Sequence, residues 1–169
     1  MASSARQGGE RKLEELVARI SQHGGRVLIL CIGNPLRGDN AFGYLVYRRL
    51  KEMGVSRVIY AGSTPENVMG LIARASPSLL VVVDALMGGR SGELVIAGLP
   101  EVKSPLPLTT HSLPLDVLVR LAGLRPSQVV ILGAYASRLE FGAKPTDEIV
   151  RAAEEAALLL LRALSTGRA

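Results

Sequence analysis

Three segments of the chain are apolar without interruption: Arg26 to Ile32, Leu79 to Asp84 and Gln128 to Gly133. Short runs rich in Val, Ile and Leu with no alternation mark strands buried on both faces, as in a parallel sheet. Arg57 to Ala61 and Glu93 to Ala97 add two shorter strands. Between these runs the apolar residues change to helical spacing. Glu10 to Gln22 carries Leu13, Leu16, Val17 and Ile20 on one stripe, ended by Gly24 and Gly25. Asp39 stands where an N-cap belongs for a helix that turns Phe42, Leu45, Val46, Leu50 and Met53 inward and closes at Gly54. Ser63 or Thr64 caps a third helix with Pro65 in its first turn and Val68, Leu71 and Ile72 inward. Pro114 opens a fourth with Leu115, Leu118, Val119 and Leu121, and Thr146 caps a last one running to about Leu164. Pro100 to Pro107 is a loop.

Strands alternating with helices predict an α/β fold of three layers, a mostly parallel twisted sheet of about five strands between helices. A length of 169 residues suits one such domain. The expected organisation is an N-terminal extension, residues 1–25, with one helix packed on a single α/β domain of residues 26–169.

Composition narrows the function classes. Cys31 is the only cysteine, so neither an internal disulfide nor a cysteine metal cluster can form within the chain. That usage fits a reducing cytoplasm, and Cys31 lies in an apolar run as a core residue would. Met1 to Arg11 lacks the apolar middle of a signal peptide. No apolar run approaches the ~20 residues of a membrane span. The net charge is +5, but the basic residues are dispersed and do not interleave with aromatics, so no nucleic-acid partner is expected.

Ligands of open α/β sheets bind beyond the carboxyl ends of the strands, which selects three segments. The first is Gly33-Asn34-Pro35-Leu36-Arg37-Gly38-Asp39-Asn40. Gly33 and Gly38 have the spacing of a phosphate loop, yet Asp39 and Asn40 stand where Lys and then Ser or Thr would be needed. A carboxylate there repels phosphate, which argues against a nucleotide module. The second is Asp84, a carboxylate at the end of a buried strand that must find a partner, a cation or water. The third is the polar island Thr109-Thr110-His111-Ser112 before Pro114. Taken together these offer one or two oxygen donors near position 40, a carboxylate at 84 and an imidazole at 111. Mixed oxygen and imidazole donors suit a divalent ion such as nickel or zinc. Three protein ligands leave positions open for water or substrate.

At these residues the chain resembles the hydrogenase maturation proteases, which trim the C-terminal extension from the large subunit of nickel-iron hydrogenases. The resemblance rests on Gly33-Asn34-x-x-x-Gly38-Asp39-Asn40-x-x-Gly43, on Val83-Asp84-Ala85 and on Thr110-His111-Ser112-Leu113-Pro114-Leu115. Gly133, Phe141-Gly142 and Pro145 follow in order, and the likeness spans about Val27 to Leu164. It implies an endopeptidase of the aspartyl type acting on a hydrogenase large-subunit precursor; the expected setting is the cytoplasm and the expected state a monomer. It implies nickel supplied by that substrate and not retained by the free protein. The metal-recognising positions it implies are Asn40, Asp84 and His111, with Asp39, Asp84 and His111 as the catalytic set. Gly33, Asn34, Gly38 and Thr110 would line the substrate cleft. The chain departs from the family pattern at one position, where Asn40 replaces an acidic residue. Three readings stay open: Asn40 binds through its oxygen; Asp39 takes over, which needs a different loop shape because neighbouring helical residues point about 100° apart; or the chain binds a precursor without cutting it.

Overall fold

The structure, a computed structural model, describes residues 2–23, 26–99 and 114–167. Five strands form one sheet: β1 (Val27–Cys31), β2 (Val58–Tyr60), β3 (Leu79–Leu86), β4 (Leu94–Gly98) and β5 (Val129–Tyr135). Their order is β2-β1-β3-β5-β4. All neighbours run parallel except β4, which pairs antiparallel with β5. The α/β three-layer expectation therefore holds.

The uninterrupted apolar runs are the three central strands, and every residue of β1 and β3 is buried. Alternation along them feeds two cores. One face carries α1 (Ala2–Gln22), α2 (Phe42–Glu52) and α5 (Asp147–Thr166), whose Leu16, Phe42, Val46, Leu50, Ala156 and Leu160 pack on Val81 and Val83. The opposite face carries α3 (Met69–Ala75) and α4 (Leu115–Leu121), whose Ile72, Leu118 and Val119 pack on Leu80, Val82 and Leu86. The helix α1 lies against α5, with Leu16 and Ile20 buried in the first core. It begins at Ala2, eight residues before its apolar stripe would place it.

This order creates a switch point. From β1 the chain passes through α2 to β2 on one side, while β3 leads toward β4 and β5 on the other. The carboxyl ends of β1 and β3 consequently flank the crevice where α/β sheets bind ligands. Two of the three helices expected to start at a polar cap begin differently. A tight 3-10 turn, Gly38–Ala41, precedes α2, and Asp39 makes no cap bond to it. Pro65–Val68 is likewise a 3-10 turn ahead of α3, with no cap bond from Thr64. Thr146 does cap α5, its hydroxyl accepting from the Ile149 N–H at 3.4 Å.

Candidate functional site

The loop after β1 is folded by its own polar groups. The Asn34 side chain accepts from the Leu36 N–H at 2.9 Å, the local turn that Asn favours. The Asn34 N–H donates to Asn40 Oδ1 at 2.6 Å. The loop is also pinned to β2: the Gly33 N–H donates to the Gly62 carbonyl at 2.8 Å and the Tyr60 hydroxyl to the Gly33 carbonyl at 2.6 Å. Two glycines let the turn settle on the strand end. A Cβ on Gly43 would overlap the Ile32 carbonyl oxygen, and one on Gly33 would overlap that of Asn40. Gly38 has φ +52° and passes so close to the Arg138 carbonyl that a Cβ there would collide with it.

Among the described residues the buried polar side chains are Asp39, Asn40 and Asp84. Asp39 and Asn40 lie in the turn after β1, and that turn packs against β3, which carries Asp84. Burying three such groups in so aliphatic a protein is costly unless each is occupied, so their partners matter.

Asp39 is fully occupied. Its Oδ2 accepts from the Ser137 N–H at 2.8 Å, the Ser137 hydroxyl at 3.2 Å and the Arg138 N–H at 3.1 Å. Its Oδ1 accepts from the Thr146 N–H and hydroxyl, both at 2.8 Å. Burial alone would push this carboxyl up, but the bonds from Thr146, Ser137 and Arg138 outweigh it and hold the pKa below the ordinary value. The Asp39 N–H also donates to the Arg138 carbonyl at 2.6 Å. Asp39 thus latches the β1 loop to the segment between β5 and α5. That is a correction to its expected part as the N-cap of α2. It also commits both carboxylate oxygens to the latch, against the reading in which Asp39 takes over from Asn40. Ser137, Arg138 and Thr146, the partners in this latch, had no signal in the sequence beyond the cap signature of Thr146.

Asn40 has its amide orientation set. A backbone N–H cannot donate to an NH2 group, so Oδ1 faces Asn34 and Nδ2 faces away. An Asp at this position would keep the Asn34 bond with one oxygen and present the other as a second acceptor.

Asp84 is not quite at the strand tip, since β3 continues to Leu86. The carboxylate accepts from the Ala85 N–H at 2.8 Å. Strand alternation turns it to the face shared by Leu80, Val82 and Leu86, the one α3 and α4 cover. Its register partner on β5 is Gly133, and the Leu86 side chain fills the place where a Cβ on that glycine would lie. The charge of Asp84 adds to burial in pushing the Cys31 thiol far up, so Cys31 is an inert core residue.

His111 and Thr110 lie outside the described residues, as does Thr109. In sequence His111 precedes by four residues the start of α4, a helix on the same face as Asp84. Among the described residues no three His, Cys, Asp or Glu side chains converge as a metal site. The described part of the site therefore supplies one carboxylate, Asp84, and one neutral amide, Asn40, at the switch point.

Comparison with models of protein families found no match. Comparison with individual proteins did. The chain is 32% identical over 130 residues to the hydrogenase 3 maturation protease of Escherichia coli strain K12, taking in 75% of this chain and 83% of that protein. Among solved structures it matches a NiFe hydrogenase maturation protease, HycI, from Thermococcus kodakarensis KOD1 with a TM-score of 0.71 and 36% identity, covering 83% of this chain and 93% of the other. It matches the solution structure of the endopeptidase HycI from Escherichia coli with a TM-score of 0.67 and 31% identity, covering 76% and 84% of the two chains.

Proposed function

The chain belongs to the hydrogenase maturation protease family, and from that membership we propose that it is the endopeptidase that removes the C-terminal extension of a nickel-iron hydrogenase large-subunit precursor. The observation that carries the reading is the burial of Asn40 and Asp84 on either side of the sheet's switch point. Perturbed, buried ionisable groups cluster at functional sites, and Asp84 lies at the switch point, outside the latch that accounts for the burial of Asp39.

In this reading nickel arrives as part of the precursor. Asp84 offers it a carboxylate oxygen and His111 an imidazole nitrogen, a donor pair suited to that ion. Asn40 adds at most its neutral Oδ1, already shared with the Asn34 N–H. Held there, the ion would polarise the scissile carbonyl or the attacking water. Gly33, Asn34, Gly38 and Thr110 border the path of the tail. The protein works as a cytoplasmic monomer and releases nickel with its product. Among the described residues no helix is long and apolar enough to cross a membrane.

The test is incubation with a nickel-loaded precursor while the mass of the large subunit is followed. Wild type shortens it; Asp84→Asn and His111→Ala do not; Asn40→Asp cuts at least as fast as wild type. An unshortened large subunit with the cognate, nickel-loaded precursor overturns the proposal. The neutral Asn40 favours a second reading, in which the protein holds the precursor without cutting it. Co-sedimentation of the two with no change of mass is the outcome that selects it.

A further inference from the structure

The Asp39 latch does more than tidy the fold: it fixes two loop tips side by side at the mouth of the site. The Gly142 N–H donates to the Leu36 carbonyl at 2.7 Å and the Gly38 N–H to the Ala143 carbonyl at 3.0 Å. Together with the five bonds to the Asp39 carboxylate, these tie the loop after β1 to the loop after β5. Each loop then holds one large apolar side chain in water, Leu36 at 58% and Phe141 at 71% of full exposure. A single exposed apolar residue needs no explanation, but two on adjacent, rigidly bonded loops form a patch. Within the two loops Arg37, Arg138 and Lys144 are exposed, against the carboxylate of Glu140, with Asp147 exposed at the start of α5.

We propose that the Leu36–Phe141 tip is the docking surface for the hydrogenase large-subunit precursor, which seats on it an apolar patch rimmed by acidic side chains. The inference rests on the function proposed above, and two features select this occupant. The patch is continuous with the site, since Leu36 and Asn40 belong to one loop closed by the Asn34 bonds. Its rim carries surplus positive charge, which steers an acidic partner. A rigid aromatic anchor beside a basic rim also has the composition of a binding hot spot, and its rigidity limits the ordering cost of association.

The experiment compares wild type, Leu36→Ser/Phe141→Ser and a control, Leu71→Ser/Leu158→Ser, which removes two exposed apolar residues from α3 and α5. Equilibrium binding of the nickel-loaded precursor and the cleavage kinetics are both measured, with melting curves to confirm folding. The tip variant is expected to bind roughly tenfold or more weakly and to raise KM alike, with kcat at saturation within about twofold of wild type. The control leaves both unchanged. Arg37→Glu/Lys144→Glu lowers affinity and flattens its dependence on salt. Equal affinity of tip variant and wild type overturns the inference, as does a fall in kcat at unchanged KM. So does a wild-type dimer, seen by sedimentation, that the tip variant abolishes. Wild type that binds through the tip without cutting overturns the proposed activity and leaves the docking surface standing; wild type that cuts while the tip variant binds equally well does the reverse.

Discussion

Replacing Asp39 with Ala removes the acceptor for three backbone N–H groups, those of Ser137, Arg138 and Thr146, and for two hydroxyls. The hydroxyls can turn elsewhere. The N–H groups are fixed by the chain, and each costs about 1–3 kcal/mol when left buried without a partner. Ser137 and Arg138 are near enough to solvent for water to relieve part of this, so the low end applies and the sum is about 3 kcal/mol. For a domain of this size that lowers Tm by roughly 6–12 °C. Asp39→Asn is no rescue. It keeps one acceptor oxygen but turns an NH2 group toward donors, so it loses a comparable amount. The pH dependence follows from the lowered pKa of Asp39. A carboxyl whose folded pKa lies below its unfolded value of about 3.9 contributes its stability in full above that pH and loses it as pH falls through the folded pKa. The gap between wild type and Asp39→Ala is therefore level from about pH 5 to 7 and narrows below about 4. Denaturant melts across that range measure it. A loss below about 1 kcal/mol, or a gap that widens in acid, refutes the latch. A ligand or catalytic role would show the opposite signature, an Asp39→Asn protein as stable as wild type that no longer cleaves.

Gly43→Ala is expected to lower Tm by several degrees, although Ala is favoured over Gly in a helix by about 1 kcal/mol: the added Cβ overlaps the Ile32 backbone, which has no rotamer to escape to. Gly70→Ala in α3 is the contrasting case, because its Cβ meets only the end of Arg74 at 3.7 Å, and thermal melts should show it neutral or stabilising by up to about 1 kcal/mol. Cys31, fully buried and with its thiol pKa pushed up by burial and by Asp84, should resist alkylation by iodoacetamide at pH 8 in the native protein and react in denaturant, as read by mass.

Strand identity was legible because the central strands are buried on both faces, which leaves an uninterrupted aliphatic run no helix would need. The position of Asp84 next to the first loop followed from the same pattern together with the switch-point rule. Two kinds of error have a common cause. Asp39 had the local signature of an N-cap, and short-range rules count only neighbours in sequence. Its real partners are 98 to 107 residues away, and nothing in composition or spacing announces a bond of that range. The N-terminal helix was shortened for a related reason. Its first turns, with Gly8 and Gly9, have no apolar stripe, so only the half that packs on α5 was visible.

The latch also bears on what Asn40 can do. With both Asp39 oxygens committed, a carboxylate cannot be borrowed from the neighbouring position without breaking the bonds that hold the two loops together. The site at the switch point then carries one negative charge, from Asp84, where the family pattern would supply two. In the proposed function, an ion bound there would keep more of its positive charge. It would be held less tightly by the protein and would pull harder on the oxygens of whatever else it touched, water or a peptide carbonyl. Under the proposed function, in which the precursor brings the nickel, weak retention would let the ion leave with the product, and the neutral amide at position 40 would leave the ion's binding to the substrate's own ligands.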